Sequence, residues 1–274
     1  MAELPEIHKY TAQLRKELVG RTIADVVITQ PKCTNLDPTE LATRARDARI
    51  EAVTYRGKWI VHTLDTGDSL LLSPGMGMDI LHFQPGAPDP EKFQVKLLLD
   101  DGTGYTVKFW WFGTFALVPT ASIDVDSPIR DVALDPFADD FTLDYFRTLL
   151  HGKRTAAKSL MLNQKMIGGI GNAYAHDILF AARLHPQTKV SLLSDDDVER
   201  WYNAIQSVLR DSLNKGTFFF EKDIYGEPGG FTEDDLLMGY KKGDPCSACG
   251  NPIESLKTGS TTTYLCPTCQ PLKV

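Results

Sequence analysis

Three features are missing from the 274-residue sequence, and each absence excludes a class of protein. It has no apolar run of the roughly 20 residues needed to cross a bilayer, which excludes a membrane-spanning helix. It has no basic start followed by an apolar stretch, which excludes a secretory signal. It has neither an internal repeat nor a low-complexity tract. We therefore expect an intracellular globular protein, long enough for two domains with a real core.

The sequence also lacks an excess of positive charge, since its formal net charge is −7 and its pI is about 5.4. Over the whole chain this argues against a nucleic-acid partner, because phosphate binding needs basic surface. The distribution of charge matters more than its sum. Between residues 146 and 176 there are no acidic residues and five basic ones: Arg147, Lys153, Arg154, Lys158 and Lys165. Such a segment is either a solvated helix face or a local patch compatible with DNA.

Cysteine is scarce, but four of the five cysteines form two C-x2-C pairs. Thiolates bind zinc tetrahedrally, and two such pairs supply all four ligands of a closed, structural site. The alternative, two disulfides, is disfavoured in an intracellular chain. The predicted Zn²⁺ ligands are Cys246, Cys249, Cys266 and Cys269. We expect the strands of this zinc hairpin at 255–259 and 261–266, and we interpret the lone Cys33 as an inert thiol.

Hydrophobic patterning separates a β-rich amino-terminal part from a helical part. Residues 6–19 have helical spacing and stop at Gly20, whereas 21–119 read as strands of a sandwich or barrel, with a hairpin over 100–104. Helices are expected near 141–151, 155–162, 173–183 and 195–214. The pattern therefore predicts a multidomain α+β protein. Its expected parts are a β-rich domain at 1–120, a linker at 121–140, a helical domain at 141–239 and the zinc hairpin at 240–274.

A glycine-rich turn leads into Asn172, where a helix is expected to begin. Asn is a good N-cap, and the N–H groups at a helix start bind phosphate. The turn is not a dinucleotide fingerprint, because the third glycine and the strand–turn–helix unit are missing. Alone it is a tight turn, but with Lys158 and Lys165 beside it, it favours contact with a nucleic-acid backbone.

Aromatic residues are concentrated in 108–115, after the predicted hairpin. Alternation along a strand would place Trp110 and Phe112 on one face and Trp111 on the other. One interpretation is a strand of the hydrophobic core. The other is a surface that stacks on bases and fills the hole left by a flipped base.

Charged residues in two further stretches have both a simple and a functional interpretation. Arg56 and Lys58 alternate with apolar residues, as two solvated charges on a strand would. Glu3 and Glu6 flank Pro5, which suits the first turn of a helix, and carboxylates are favourable there and common at exposed termini.

Five stretches occur in the order seen in one known family: AELPEI, RGKWI, GMGM, GIGNAYAHDILF and YLCPTCQ. Together they make the sequence resemble the formamidopyrimidine-DNA glycosylase and endonuclease VIII family over essentially its whole length. The resemblance implies an amino-terminal β-sandwich, a helix–two-turn–helix DNA-binding domain and a zinc hairpin. It implies a base-excision repair enzyme that flips a damaged base out of double-stranded DNA and excises it.

The resemblance also implies a catalytic group at the amino terminus. After loss of the initiator Met, the amine of Ala2 would attack the sugar C1′ and form a Schiff base. The pKa of an α-amine, about 7.7–8.0, leaves an appreciable fraction unprotonated at neutral pH. By the same resemblance, Glu3 assists departure of the base and Glu6 holds the terminus. Lys58 binds a phosphate and assists proton transfers.

Further residues are implied to contact DNA. In the family, residues at the places of Met76, Trp110 and Phe112 fill the vacated space in the duplex. The full set of implied DNA-binding residues is Met76, Trp110, Phe112, Lys153, Lys158, Asn172 and Thr261.

The sequence departs from the family pattern at four places. Ala2 replaces the usual terminal proline, and Trp110-Trp111 replaces two arginines. Thr261 replaces the hairpin arginine, and Ser73 replaces a histidine. These changes predict at most modest AP-lyase activity, and the excised lesion stays open. The alternative is a protein that binds damaged or abasic DNA without chemistry, and a zinc-ribbon factor unrelated to repair is more remote. A monomer is expected.

Overall fold

The computed structural model describes residues 2–259 and 261–274, which form two compact units. The first unit extends to Asp131 and includes Gly216–Gly230, whereas the second comprises Val132–Lys215 and Phe231–Val274. The mixed architecture confirms the predicted α+β class. The domain boundaries expected from the sequence stay a prediction, and the structure differs from them in grouping Gly216–Gly230 with the amino-terminal part.

The first unit is a β-sandwich with a long helix at its start. Its helices are α1 (Leu4–Leu18) and α2 (Pro38–Ala45). Its strands are β1 (Ile23–Ile28), β2 (Ile50–Arg56), β3 (Trp59–Leu64), β4 (Asp68–Ser73), β5 (Met78–Phe83), β6 (Val95–Leu99), β7 (Gly104–Phe109) and β8 (Thr114–Pro119). They form two antiparallel sheets in the orders β1-β6-β7-β5 and β2-β3-β4-β8. The predicted hairpin over 100–104 is the β6–β7 connection.

The apolar face of α1 lies in the core of this unit. Ile7, Tyr10, Leu14 and Leu18 recur at helical spacing, and each is at most 1% exposed. They share one buried cluster with inward-facing residues of both sheets. Burial of this stripe stabilises the helix against the sandwich, because isolated helices of this length are marginal in water.

A second face of α1 binds Gly216–Gly230 by polar contacts. The helix residues that make them are spaced one turn apart: Glu6, Lys9, Gln13 and Glu17. Their partners are the N–H of Phe218, the carbonyl of Gly216, the carboxylate of Asp223 and the hydroxyl of Tyr225. This regular spacing explains why a segment about 200 residues distant along the chain belongs to the first unit.

The second unit contains four helices and the hairpin. These elements are α3 (Leu143–Leu150), α4 (Ala157–Met161), α5 (Asn172–Ala181), α6 (Asp195–Asn214), β9 (Glu254–Thr258) and β10 (Thr261–Leu265). Each helix lies within two residues of its predicted bounds. Almost all of α5 is buried, and the hydroxyl of Tyr174 contacts Ser212 Oγ on α6 at 2.6 Å. Among the described residues, no helix has the length and apolar character required to span a membrane.

Two connections of the sandwich bind each other at one end. The N–H of Met76 donates to the carbonyl of Trp111, and the N–H of Trp110 donates to that of Gly77, both at 2.9 Å. Gly75, in the β4–β5 connection, has a φ of +60°, and a Cβ added there would lie 2.3 Å from the Trp111 carbonyl oxygen. Only glycine allows this approach, so the junction of the β4–β5 and β7–β8 connections depends on it.

We expect Gly75→Ala to destabilise the protein more than Gly67→Ala. Gly67 also has a positive φ, of +84°, but a Cβ added there would have no atom within 4 Å. Both substitutions incur a left-handed backbone cost of about 1–2 kcal/mol. Gly75→Ala adds a steric cost of about 1–3 kcal/mol. Denaturant unfolding of both variants measures the difference, and equal losses would contradict the close approach.

Candidate active site and nucleic-acid interface

The two amino-terminal carboxylates are buried at the start of α1. Glu3 precedes the first helical residue, and both it and Glu6 are fully buried. Glu6 Oε2 accepts the N–H of Glu3 at 2.9 Å, and Glu6 Oε1 accepts the N–H of Phe218 at 3.1 Å. Both Glu6 oxygens are therefore fixed by backbone donors. The interpretation of Glu3 and Glu6 as exposed acidic residues at the terminus is wrong, because both side chains are buried.

A third buried carboxylate beside α1 is absent from the sequence-based candidates. Glu221 is 1% exposed, and its Oε2 lies 3.5 Å from the Tyr10 hydroxyl. Burial raises the pKa of Glu221 and raises that of Tyr10 well above its usual value. The sequence carries no signal for this site, because a glutamate beside a lysine and an aspartate reads as solvated. Only the return of Gly216–Gly230 to α1 buries it.

Lys58 occupies a turn and not a strand. Arg56 ends β2 and pairs with Trp59 at the start of β3, so Gly57 and Lys58 form a two-residue connection. The expectation that Arg56 and Lys58 alternate along one strand is therefore wrong. Gly57 has a φ of 56°, which suits the tight turn.

The direction of β2 places this turn near the start of α1. Arg15 Nε donates to the carbonyl of Val53 at 2.9 Å, whereas His8, two turns earlier in α1, contacts the ring of Tyr55. As β2 advances, it therefore approaches the amino-terminal end of α1. Lys58 follows directly and lies at the same end of the unit as the buried carboxylates.

Four apolar side chains are exposed where the two bound connections meet. Met76, Trp110, Trp111 and Phe112 are 49%, 40%, 66% and 81% exposed, and we call them the aromatic surface. The core-strand interpretation is wrong for these rings. So is their expected alternation along a strand, because β7 ends at Phe109 and the rings lie in a bend.

The bend of the aromatic surface has an uncommon backbone conformation. Phe112 has a φ of +56°, a region that bulky residues rarely adopt. Such strain persists where the surrounding structure holds it in place, and it is concentrated at binding and catalytic sites. Here two backbone hydrogen bonds hold the bend in place. The N–H of Trp110 donates to the carbonyl of Gly77, and the carbonyl of Trp111 accepts the N–H of Met76.

The structure brings together three of the predicted DNA-binding residues of the second unit, Lys158, Asn172 and Thr261. Lys158 is only 2% exposed, and its Nζ donates to hydroxyls of the zinc hairpin. The hydroxyl acceptors are Thr258, Thr261 and Thr263. Burial lowers the pKa of Lys158 to about 8. The solvated-face interpretation is wrong for this lysine, and its direct phosphate contact stays a prediction.

Asn172 is the first residue of α5, and Gly171 is the cap, so the expected N-cap role of Asn172 is wrong. Its Nδ2 lies 3.4 Å from the carbonyl oxygen of Thr262. Its Oδ1 is buried and has no hydrogen-bond partner among the described residues. Most buried polar atoms have a hydrogen-bond partner, so this oxygen is available to a donor from outside the chain.

His176, which was not among the residues predicted from the sequence, lies one turn after Asn172 on α5. Its Nδ1 accepts the N–H of Tyr264 at 3.3 Å, and its Nε2 lies 3.4 Å from the Asn172 amide. Burial, and secondarily the charge of Lys158, lowers the pKa of His176 to about 3. The imidazole is therefore neutral with its proton on Nε2, and because the facing Asn172 Nδ2 is also a donor, the 3.4 Å approach between them is a contact and not a hydrogen bond.

Lys153, the remaining predicted contact, is exposed in the turn after α3. Its N–H donates to the carbonyl of Leu150, which ends that helix. The contact of Lys153 with DNA stays a prediction.

The four paired cysteines have the geometry of a zinc site. Their Sγ atoms all lie within 4.8 Å of one another. The Cys246–Cys269 and Cys249–Cys266 sulfur pairs are 3.9 and 3.5 Å apart. A tetrahedron with Zn–S bonds of about 2.3 Å has sulfur separations of about 3.8 Å, whereas a disulfide bond is about 2.05 Å long. These residues fit a closed Zn²⁺ site, and β9 and β10 lie close to the expected hairpin strands.

We expect one zinc per chain, and Cys266→Ala should lose it. Because metal binding and hairpin folding are coupled, the variant should also displace the threonines around Lys158 and weaken DNA binding. Elemental analysis and a DNA-binding titration measure both effects. Cys33→Ala, which removes a buried thiol outside the cluster, is the matched control and should keep the metal. Metal-free protein with undiminished DNA affinity would contradict a structural zinc.

Three family models match the chain along its length. The formamidopyrimidine-DNA glycosylase N-terminal domain matches residues 1–109, and the H2TH domain of the same enzymes matches residues 132–221. A zinc finger found in FPG and IleRS matches residues 243–272. The predicted helix–two-turn–helix domain and zinc hairpin are thereby confirmed.

Whole-length relatives agree with these matches. The formamidopyrimidine-DNA glycosylase of Chloroflexus aggregans is 32% identical over 282 residues, covering 99% of each chain. The MutM (Fpg) protein of Thermus thermophilus is 28% identical, with a TM-score of 0.85, and the match covers 99% of this chain and 100% of that one. Lactococcus lactis Fpg, solved with abasic-site DNA, shares the fold, with a TM-score of 0.88 at 24% identity over 98% and 99% of the two chains. The chain therefore belongs to the formamidopyrimidine-DNA glycosylase family, the base-excision glycosylases that hydrolyse N-glycosyl bonds in DNA.

Proposed function

We propose that this glycosylase uses the α-amine of Ala2, freed by removal of Met1, as its nucleophile. The observation that carries the proposal is the burial of Glu3 and Glu6 directly beside that position, with both oxygens of Glu6 held by backbone N–H groups. Burying carboxylates costs free energy, and it is expected where a site needs them in place.

The proposed chemistry assigns a role to each group. The amine lone pair forms a bond to C1′ of the flipped nucleotide as the bond from C1′ to the base breaks, and the electron pair of that bond leaves with the base. Glu3 assists departure of the base and, with cleavage of the C1′–O4′ bond, opening of the sugar ring. The Schiff base that results is hydrolysed by water, which regenerates the amine. Glu6 positions the terminus, and Lys58, at the same end of the unit, binds a phosphate.

We infer that double-stranded DNA with a damaged base or an abasic site is the substrate. Met76, Trp110 and Phe112 are exposed at one end of the sandwich and have the character to fill the space of a flipped nucleotide. In the second unit, Asn172 and Thr261 would contact a phosphate. The buried Lys158, which donates to Thr261, would act through the field of its ammonium group behind them.

Ala2 supplies a primary amine, and this limits strand cleavage, the step that would follow formation of the Schiff base. The imine it forms must hold a proton to act as an electron sink, whereas a proline-derived iminium is permanently charged. We therefore infer weak or modest AP-lyase activity. A protein that binds damaged or abasic DNA without chemistry is the second candidate, favoured by Thr261 and Trp110 in place of arginines.

We expect base release to outpace strand cleavage, and Ala2→Pro to raise strand cleavage relative to base release. Gel assays of both steps, and borohydride trapping on abasic-site DNA, measure this. The intact mass is checked first, because retained Met1 would block the amine. Strand cleavage as fast as base release by the unaltered protein would contradict the primary-amine argument. Absence of a trapped complex, with DNA binding retained, would favour the second candidate.

We expect DNA affinity to fall as pH rises through the Lys158 pKa of about 8. Phosphate attracts the protonated form, whose fraction drops from about nine-tenths at pH 7 to about one-tenth at pH 9, so Kd should rise about five- to ten-fold. Lys158→Met, which keeps the side-chain length, should remove the part of this dependence that Lys158 causes, leave the part from the Ala2 α-amine, and lower the salt slope by about one. The freed threonine hydroxyls can bond one another.

Lys165→Met is the matched control for this titration, because Lys165 is an exposed lysine of the same basic segment. This variant should keep the pH dependence. An identical pH dependence in the unaltered protein and Lys158→Met would show that the ammonium group of Lys158 does not act on the phosphate.

A further inference from the structure

A cavity of about 610 Å³ lies in the second unit, where the end of α5 and the first turns of α6 meet the zinc hairpin. This volume lies in the range of about 300–1,000 Å³ that is typical of small-molecule sites. The α5 helix extends from Asn172 to Ala181, so the cavity lies at the opposite end of that helix from Asn172, about 15 Å along its axis. The lining residues used below are Phe180, Arg183, Asp197, Arg200, Thr268 and Lys273.

The cavity has a positive charge, although the chain as a whole has a net charge of −7. Three of its described lining residues are cationic, and Asp197 is the one carboxylate among them. Asp195 and Asp196, in the first turn of α6, are exposed and do not belong to the lining. One carboxylate neutralises only one cation, so an anion in the cavity would meet an uncompensated positive field.

Asp197 holds two of the cations in place. It is 2% exposed, its Oδ2 accepts the N–H of Ser194 at 2.9 Å, and both Arg200 and Lys273 donate to it. Although burial opposes ionisation, the bonds from Lys273 and Ser194 lower the pKa of Asp197 to about 2. The carboxylate is therefore ionised at neutral pH and orients both cations from a fixed position. Cations that are ordered in advance bind an anion at a smaller entropic cost.

Arg183, the third cation, has a backbone conformation that favours glycine. Its φ is +55°, and it directly follows Ala182, the C-cap of α5. The N–H of Leu184 donates to the carbonyl of Leu179 at 2.9 Å, which is the Schellman arrangement whose left-handed residue is usually glycine. Arginine incurs a backbone cost here that glycine would not. Such strain is concentrated at binding sites, and the Arg183 side chain lines the cavity.

The chemistry of the lining fits a phosphate ester. Guanidinium groups bind phosphate oxygens in pairs, and an ammonium group adds a point charge. Thr268 Oγ1 accepts from Asn251 Nδ2 at 2.9 Å, so its own proton can be donated to a ligand. The half-buried ring of Phe180 adds apolar surface. Cations, a hydroxyl and an aromatic ring together match a nucleotide.

We propose that this cavity binds a phosphate ester of nucleotide size, with Arg183, Arg200 and Lys273 on the phosphate oxygens. The site is separate from the glycosylase chemistry and does not rest on the proposed function. A free nucleotide and a strand of DNA both carry phosphate esters, and the experiment distinguishes these two sources.

The test is isothermal titration calorimetry of the full-length, zinc-containing protein with ADP, pyrophosphate and adenosine. Low ionic strength is used, because salt screens exposed charges. We expect ADP to bind about ten-fold more tightly than adenosine, because the phosphates make the charged contacts, and we expect pyrophosphate to compete with ADP.

Arg183→Gly distinguishes a binding role from a structural one. Glycine relieves the left-handed strain but gives the unfolded chain more freedom, so the melting temperature should change little. The affinity for ADP should fall about ten-fold, because the guanidinium group is lost. Lys273→Met should weaken ADP binding as well. Arg210→Gln is the matched control, because Arg210 is an exposed arginine of α6 that lies over the Phe137 ring, outside the cavity, and it should keep the affinity.

Duplex DNA with a tetrahydrofuran abasic-site analogue represents the second source of phosphate. Weaker ADP binding by Arg183→Gly, with unchanged affinity for this duplex, supports a free nucleotide as the ligand. Weaker duplex binding by Arg183→Gly, with no ADP binding by the unaltered protein, supports a phosphate of DNA. The proposal is overturned if ADP and pyrophosphate do not bind and Arg183→Gly keeps its affinity for the duplex. ADP binding that Arg183→Gly and Lys273→Met both retain overturns it as well.

Discussion

The carboxylate of Glu6 connects the local structure of the amino terminus to the tertiary structure. One oxygen binds the N–H of Glu3 within the first helical turn, and the other binds the N–H of Phe218, which is 212 residues away. This side chain therefore joins the start of α1 to the segment that buries Glu221, and the contacts of Lys9, Gln13 and Glu17 extend the same attachment along the helix. A buried charge is stable only when its oxygens are satisfied, so the site and the fold share this requirement.

An acidic protein that binds a polyanion must concentrate its favourable contacts. In the proposed interface the exposed groups of the first unit are largely apolar, in the aromatic surface, and the cation of Lys158 in the second unit is buried among hydroxyls. Burial strengthens the field of a charge, because water no longer screens it. A net charge of −7 is therefore compatible with DNA binding, provided that the few relevant charges lie in ordered surroundings.

Sequence patterns predicted the structural features that are determined by residues close together along the chain. The helix at 195–214 agrees residue for residue, because Ser194 caps it and its apolar face is periodic. The cysteine spacing predicted the zinc site for the same reason. The burial of Glu221 and Lys158 could not be predicted, because it is produced by chain segments far away. The bend at Phe112 was also missed, because a non-glycine residue with positive φ leaves no turn signal.

The threonine surroundings of Lys158 restrict which residue position 261 of the hairpin can hold. The family usually has an arginine where this chain has Thr261, and that threonine hydroxyl now accepts from the Lys158 ammonium. Thr261→Arg would remove an acceptor of the Lys158 ammonium group and bring a second cation close to it, and repulsion would oppose that approach. An arginine at position 261 is therefore accommodated only where its guanidinium points away from Lys158 or is paired with an anion such as a phosphate.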